Sequence, residues 1–125
     1  EGDILMNMGA LPTIAEKSPS NFYHFMLDNE CYATTGGQPV PNSQDINYAG
    51  MAREAGYAAT YEFDNLEDFS TSVGKILSET GPVFIAMKMV PMVENEPIGM
   101  RKRSPVRSRA ETIKVIQEEL GITVA

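Results

Sequence analysis

The sequence predicts an α/β fold, a three-layer α/β/α arrangement around a mostly parallel sheet. Three observations predict it. Segments of helical and strand periodicity alternate along the chain, two of the strand-like segments are near-continuous apolar runs, and Gly56, Gly81 and Pro82 punctuate the joints. At 125 residues the chain is long enough for one compact domain with a real core, and 42% hydrophobic against 22% charged residues reads as a soluble globular protein. Residues 1–125 are therefore expected to form a single domain, with residues 93–107 a basic connector to the last helix.

Residues 5–17 place Leu5, Met8, Leu11, Ile14 and Ala15 close to helical spacing, with Pro12 expected to bend the helix. Residues 21–28 (NFYHFMLD) have strand length and the apolar continuity of a strand buried on both faces. Residues 43–56 repeat apolar positions at Ile46, Ala49, Met51, Ala52 and Ala55 and stop at Gly56, which predicts a second helix. Residues 58–63 (AATYEF) read as a short strand. Asn65 is placed to cap a third helix carrying Leu66, Phe69, Val73, Ile76 and Leu77 and ending at Gly81. Residues 83–90 (VFIAMKMV) follow as a strand, and residues 108–121 as a closing helix with Ile113, Val115, Ile116 and Leu120.

Charge and composition exclude several function classes. Ten basic against seventeen acidic residues give a net charge of −7, the opposite of a general nucleic-acid footprint. Half of the basic residues, Arg101, Lys102, Arg103, Arg107 and Arg109, fall in one stretch that also holds Pro105 and two serines, which reads as a solvated connector. No apolar run approaches the ~18–20 residues of a membrane span, and no secretory leader follows Glu1. The single cysteine, Cys31, has no internal disulfide partner and fits a reducing, cytoplasmic setting. One histidine, His24, in the middle of a strand-like run, reads as a packed residue and leaves no Ser–His–Asp or zinc arrangement to assemble. The eight methionines read as core filler.

Ligands of open α/β sheets sit beyond the carboxyl ends of the strands. Two segments belong there, Glu1-Gly2-Asp3 at the entrance to the first helix and residues 28–38 (DNECYATTGGQ) after the first strand. Asp28-Asn29-Glu30 offers the carboxylate and amide oxygens that a hard cation such as Mg²⁺ prefers. Thr34-Thr35-Gly36-Gly37 is placed to present backbone amides to an anion. Taken alone, such an acid-rich stretch after a strand is usually only a turn.

The arrangement of these residues narrows the reading. Glu1-Gly2-Asp3, the following ILMNMGAL, and then Leu27-Asp28-Asn29-Glu30-Cys31-Tyr32 resemble the cofactor motif of thiamine diphosphate enzymes, whose pattern is Gly-Asp-Gly, some two dozen residues, then Asn-Asn. Here 25 residues separate Gly2 from Asp28-Asn29. The continuation YATTGGQ is similar to the sulfopyruvate and phosphonopyruvate decarboxylase branch. The resemblance implies the thiamine diphosphate-binding fold and a Mg²⁺ site formed by Glu1, Asn29 and the backbone carbonyl of Cys31. It further implies that Gly2, Asp3, Ile4, Asn29, Cys31, Tyr32, Ala33 and Thr34 hold the diphosphate. Three positions depart from the family: Glu1 stands for an aspartate, Asp28 for the first asparagine, and Asp3 for a small residue. Asp3 is accordingly an alternative helix cap.

The implied activity is decarboxylation of a small anionic 2-oxo acid such as 3-sulfopyruvate or phosphonopyruvate. In this family the activating glutamate lies on a pyrimidine-binding domain, usually of another chain. No segment here resembles that domain, so no catalytic residue is expected in this sequence and a partner subunit in an oligomer is. The motif opens at its second residue, which leads us to expect an N-terminally truncated domain. The alternatives are a non-catalytic α/β module that uses its basic segment to hold a partner, and a family member with lyase or ligase outcome.

Overall fold

The structure, a computed structural model, describes residues 1–92 and 108–121. The first described stretch folds as α1 (Gly2–Met6), α2 (Ala10–Lys17), β1 (Tyr23–Asp28), β2 (Cys31–Tyr32), β3 (Gln38–Pro39), α3 (Tyr48–Ala55), β4 (Ala59–Phe63), α4 (Leu66–Ile76) and β5 (Val83–Lys88). These elements belong to one compact unit; α5 (Arg109–Glu119) belongs to a second. The expected connector at 93–107 lies outside the described residues, as do four of the five clustered basic side chains.

The strands form a parallel sheet in the order β1–β5–β4. Tyr23 stands opposite Val83 and Asp28 opposite Lys88 along β1–β5, while Ala59 opposite Val83 sets β4. Helices cover both faces, which makes the three layers. On one face Met26, Phe84 and Ala86 pack against Leu11 of α2 and Tyr48 and Ala52 of α3, with Ile4 and Leu5 of α1 at the margin. On the other, Val83, Ile85 and Met87 pack against Phe69 and Ile76 of α4. Central β5 is buried on both faces from Val83 to Ala86, as its continuous apolar run predicts. Each of its large side chains contributes about 1.5–3 kcal/mol by leaving water.

β1 differs from the expectation of a strand buried on both faces. Met26 and Asp28 point into the α2–α3 layer, but Phe25 and Leu27 on the opposite face remain 41% and 54% exposed. Among the described residues only β5 pairs with β1, and the Phe25 ring meets Phe69 of α4 edge-on at 6.4 Å.

Boundaries also moved. The single helix expected over 5–17 is two helices, because Asn7 leaves the helical region (φ −140°, ψ 58°). Pro12 then falls in the first turn of α2, where its missing amide costs nothing, and it does not bend the helix. α3 starts at Tyr48 instead of 43, since the Asn47 side chain caps it by accepting from the Gly50 amide at 2.6 Å. α4 begins after its Asn65 cap but stops at Ile76, five residues before the expected end at Gly81, and Tyr23 Oη donates to the Leu77 and Glu79 carbonyls beyond it. α5 opens on a Ser108–Glu111 capping box. No helix among the described residues is long and apolar enough to cross a membrane.

Candidate functional site

The carboxyl end of β1 gathers three segments. Asp28 ends the strand, and the Glu1 nitrogen donates to the Leu27 carbonyl at 3.1 Å, which sets the start of α1 beside it. The antiparallel pair β2–β3 folds back over the same end, with Cys31 opposite Pro39 and Tyr32 opposite Gln38. Its connection runs through a 3₁₀ turn at Ala33–Thr35 and two glycines at positive φ, Gly36 and Gly37. The Gly37 amide donates to the Tyr32 carbonyl at 3.0 Å, so this donor, expected to face an anion, closes the turn instead.

Between these segments lies a cavity of about 540 Å³. Glu1, Gly2 and Asp3 line it from α1, Asn29 and Cys31 from the turn after β1, and Tyr32, Ala33 and Thr34 from the hairpin. Seven of the eight expected diphosphate residues are thus brought together. Ile4 is the exception, its side chain packing against the core. Met6 and Leu27 also line the cavity and were not expected as binding residues, and Thr35, expected only within the anion-facing Thr34–Gly37 stretch, lines it too. Gly2 is needed here for a neighbour: a Cβ would lie 2.5 Å from Cε1 of Tyr32, so only glycine lets the ring close the floor. α1 has no side-chain cap, and Asp3 sits inside its first turn, exposed. The alternative of Asp3 as a cap is therefore not realised.

The three expected metal-binding residues converge. In the amide orientation that satisfies its neighbours, Asn29 Nδ2 lies 3.1 and 3.2 Å from the Glu1 carboxylate oxygens and 2.9 Å from the Cys31 carbonyl. The Asn29 backbone amide also donates to Glu1 Oε2 at 3.2 Å. One carboxylate, one carboxamide and one peptide carbonyl therefore share one point. The carboxylate and the carbonyl present hard oxygens, and the carboxamide would add a third with its oxygen turned inward; such donors suit Mg²⁺, whose remaining positions go to phosphate and water. Among the described residues no three His, Cys, Asp or Glu side chains form a metal cluster, so a soft-ligand site does not compete. The glutamate arm, one methylene longer than aspartate, still reaches the turn. A cation also fits the electrostatics, because the Glu1 and Asp3 carboxylates at the rim would otherwise repel a diphosphate.

Behind the turn the protein is charged and buried. Asp28 is only 5% exposed, and its Oδ2 accepts from Lys88 Nζ at 3.0 Å. The same nitrogen lies 3.0 Å from Glu30 Oε1, and hydrogen bonds first to Glu30 and then to Asp28 hold the lysine above its usual pKa against its partial burial. Tyr48, 3% exposed, keeps a hydroxyl with no hydrogen-bond partner among the described residues. Burial, reinforced by the Asp28 and Glu1 carboxylates, pushes it up to about 12. Neither Lys88 nor Tyr48 was visible as a site neighbour in the sequence. Lys88 left only a trace, a charge near the end of an otherwise apolar strand.

Comparison with known proteins agrees with this geometry. The family model described as the thiamine pyrophosphate enzyme, C-terminal TPP binding domain, matches residues 1–87. A phosphonopyruvate decarboxylase of Streptomyces hygroscopicus is 33% identical over 91 residues, 73% of this chain and 22% of that protein. A sulfopyruvate decarboxylase subunit beta of Methanothermobacter thermautotrophicus is 35% identical over 98 residues, 78% of this chain and 50% of the relative. Its counterpart in Methanocaldococcus jannaschii is 32% identical over 94 residues, 75% and 50% of the two chains. The chain thus spans between about a fifth and a half of these relatives' lengths. The matched residues include the turn, the hairpin and the whole parallel sheet except Lys88 at the end of β5, and the chain belongs to the thiamine pyrophosphate enzymes through their C-terminal TPP binding domain.

Proposed function

We propose that this chain is the Mg²⁺-dependent, diphosphate-binding half of a 2-oxo acid decarboxylase that acts on a small anionic substrate such as 3-sulfopyruvate or phosphonopyruvate. The observation that carries the reading is the meeting of the Glu1 carboxylate, the Asn29 carboxamide and the Cys31 carbonyl at one edge of the cavity. Relatives named as phosphonopyruvate decarboxylase and as the beta subunit of sulfopyruvate decarboxylase support the substrate class. The name "subunit beta" also supports a partner chain that carries the pyrimidine-binding site and the activating glutamate. The single cysteine, left as a thiol, is in keeping with work in the cytoplasm.

In this reading Glu1, Asn29 and Cys31 would hold Mg²⁺, and Gly2, Asp3 and the Tyr32–Thr34 segment would surround the diphosphate, with Ile4 supporting α1 from the core side. Asn29 would present its amide oxygen to the metal by a flip of the carboxamide from the orientation it holds against Glu1 and Cys31. Tyr32 lines the cavity and would lie against the diphosphate, and the hairpin would shield that side from water. The bound cofactor supplies the electron sink needed when CO₂ leaves. In this reading the group that activates the cofactor by proton transfer is supplied by the partner.

Titration calorimetry on the enzyme assembled with its partner subunit tests the reading. Thiamine diphosphate should bind when Mg²⁺ is present and not when it is chelated, and Asn29→Ala should weaken uptake by about 10-fold or more. Absence of metal-dependent uptake, together with no effect of Asn29→Ala, would remove the proposal.

A further inference from the structure

Lys88 does not line the cavity, yet it touches both residues that flank Asn29. It stands directly opposite Asp28 in the β1–β5 register, at the carboxyl end of the sheet. Its Nζ reaches Asp28 Oδ2 and Glu30 Oε1, each at 3.0 Å. Glu30 adopts φ +61°, a left-handed conformation that a residue with a side chain adopts only when its surroundings hold it there. Those surroundings are specific. Lys88 takes one carboxylate oxygen, Gln44 Nε2 donates to the other, and the Val40 amide donates to the Glu30 carbonyl at 3.0 Å. On the strand side, the Met89 amide donates to the Asp28 carbonyl at 2.7 Å.

From this geometry we infer that Lys88 is a positioning residue: by gripping Asp28 and Glu30 together it fixes the turn between them and aims the Asn29 carboxamide at the Glu1 carboxylate and the Cys31 carbonyl. The inference rests on the proposed cofactor reading for what the aimed amide serves. It also accounts for one departure from the family pattern. An acid at position 28 gives the buried end of β1 a charge that the lysine opposite can hold, where an asparagine could offer only a neutral bond. A lysine that merely stabilised the sheet would need only Asp28. The second arm to Glu30, across the metal-binding turn, is what a positioning role requires.

The two arms can be separated by substitution. Lys88→Met removes both and leaves the buried Asp28 without its counter-charge, so loss of stability is expected alongside loss of binding. Glu30→Ala removes the second arm and keeps the Lys88–Asp28 pair, so the enzyme should unfold at close to the wild-type temperature. Both should weaken Mg²⁺-dependent thiamine diphosphate uptake by about 10-fold or more, measured by calorimetry on the assembled enzyme. Lys88→Arg, which keeps the charge, should restore most of it. Before any cofactor is added, hydrogen exchange at the amides of Asn29, Glu30 and Cys31 should quicken in Lys88→Met and Glu30→Ala. If wild type takes up the cofactor normally and Glu30→Ala binds equally well, or leaves exchange at these amides unchanged, the inference is wrong whatever Lys88→Met does. If wild type itself takes up no cofactor, the functional reading fails and this role falls with it.

Discussion

Burial sets the protonation of His24. The ring lies half-buried, edge-on to Phe84 at 4.9 Å, and its Nδ1 is 3.0 Å from the Tyr57 hydroxyl. Burial lowers its pKa from 6.5. The fold therefore favours the neutral ring, and the unfolded chain binds the proton more readily. This contribution is fully present above about pH 6.5 and is lost as pH falls through that value towards the folded pKa. Urea midpoints measured at pH 7.5 and 5.5 should show the loss in the wild-type chain, and His24→Phe should flatten it while lowering stability at both pH values, because Tyr57 loses its partner. An equal drop in both proteins would exclude His24 as the cause. The packed role of this histidine was legible from its place in an apolar run. The convergence of Glu1, Asn29 and Cys31 was legible too, through a linear motif. Lys88 was not, because its pairing depends on a register between strands 60 positions apart.

Elements were readable where local signals agreed and shifted where they competed. α4 began where its cap said it would: the Asn65 side chain accepts from the Glu67 and Asp68 amides at 2.8 and 3.3 Å. Asn65→Ala leaves those amides to water and should cost about 1 kcal/mol, read as a lower denaturant midpoint at unchanged slope. No change would mean that packing of Phe69 and Ile76 alone fixes the start of the helix. The α1–α2 break was hidden because Leu5, Met8 and Leu11 keep a helical spacing across it, whereas the Asn7 backbone does not. The β2–β3 pair was missed for a different reason. Two residues per strand carry no periodicity, and only the paired glycines at 36 and 37 hinted at a reversal. The two-sided burial inferred for β1 from its apolar run is realised at β5, which pairs on both sides, whereas among the described residues β1 pairs on one side and keeps an exposed apolar face.

At the scale of the whole molecule, the site joins three separate parts of the fold. α1 contributes Glu1 and Gly2, the end of β1 contributes Asn29, and the hairpin contributes Cys31 and Tyr32. The hairpin has only two residues in each strand, too few to be stable by its own pairing. A metal ion coordinated by all three segments, with a diphosphate across them, would bind the folded arrangement and not the unfolded chain. Stability should therefore rise with ligand concentration, by about 2.7 kcal/mol at 100 times Kd. The rise should require both components: thiamine diphosphate alone meets the Glu1 and Asp3 carboxylates, and Mg²⁺ alone lacks the phosphate oxygens that complete its shell. Thermal unfolding of the assembled enzyme, followed with each component, with both, and with both plus a chelator, checks this. We expect a clear upward shift only with the pair, reversed by chelation. A shift of equal size with thiamine diphosphate alone would mean that the diphosphate is held without a metal bridge, and that the meeting of Glu1, Asn29 and Cys31 serves to brace the turn.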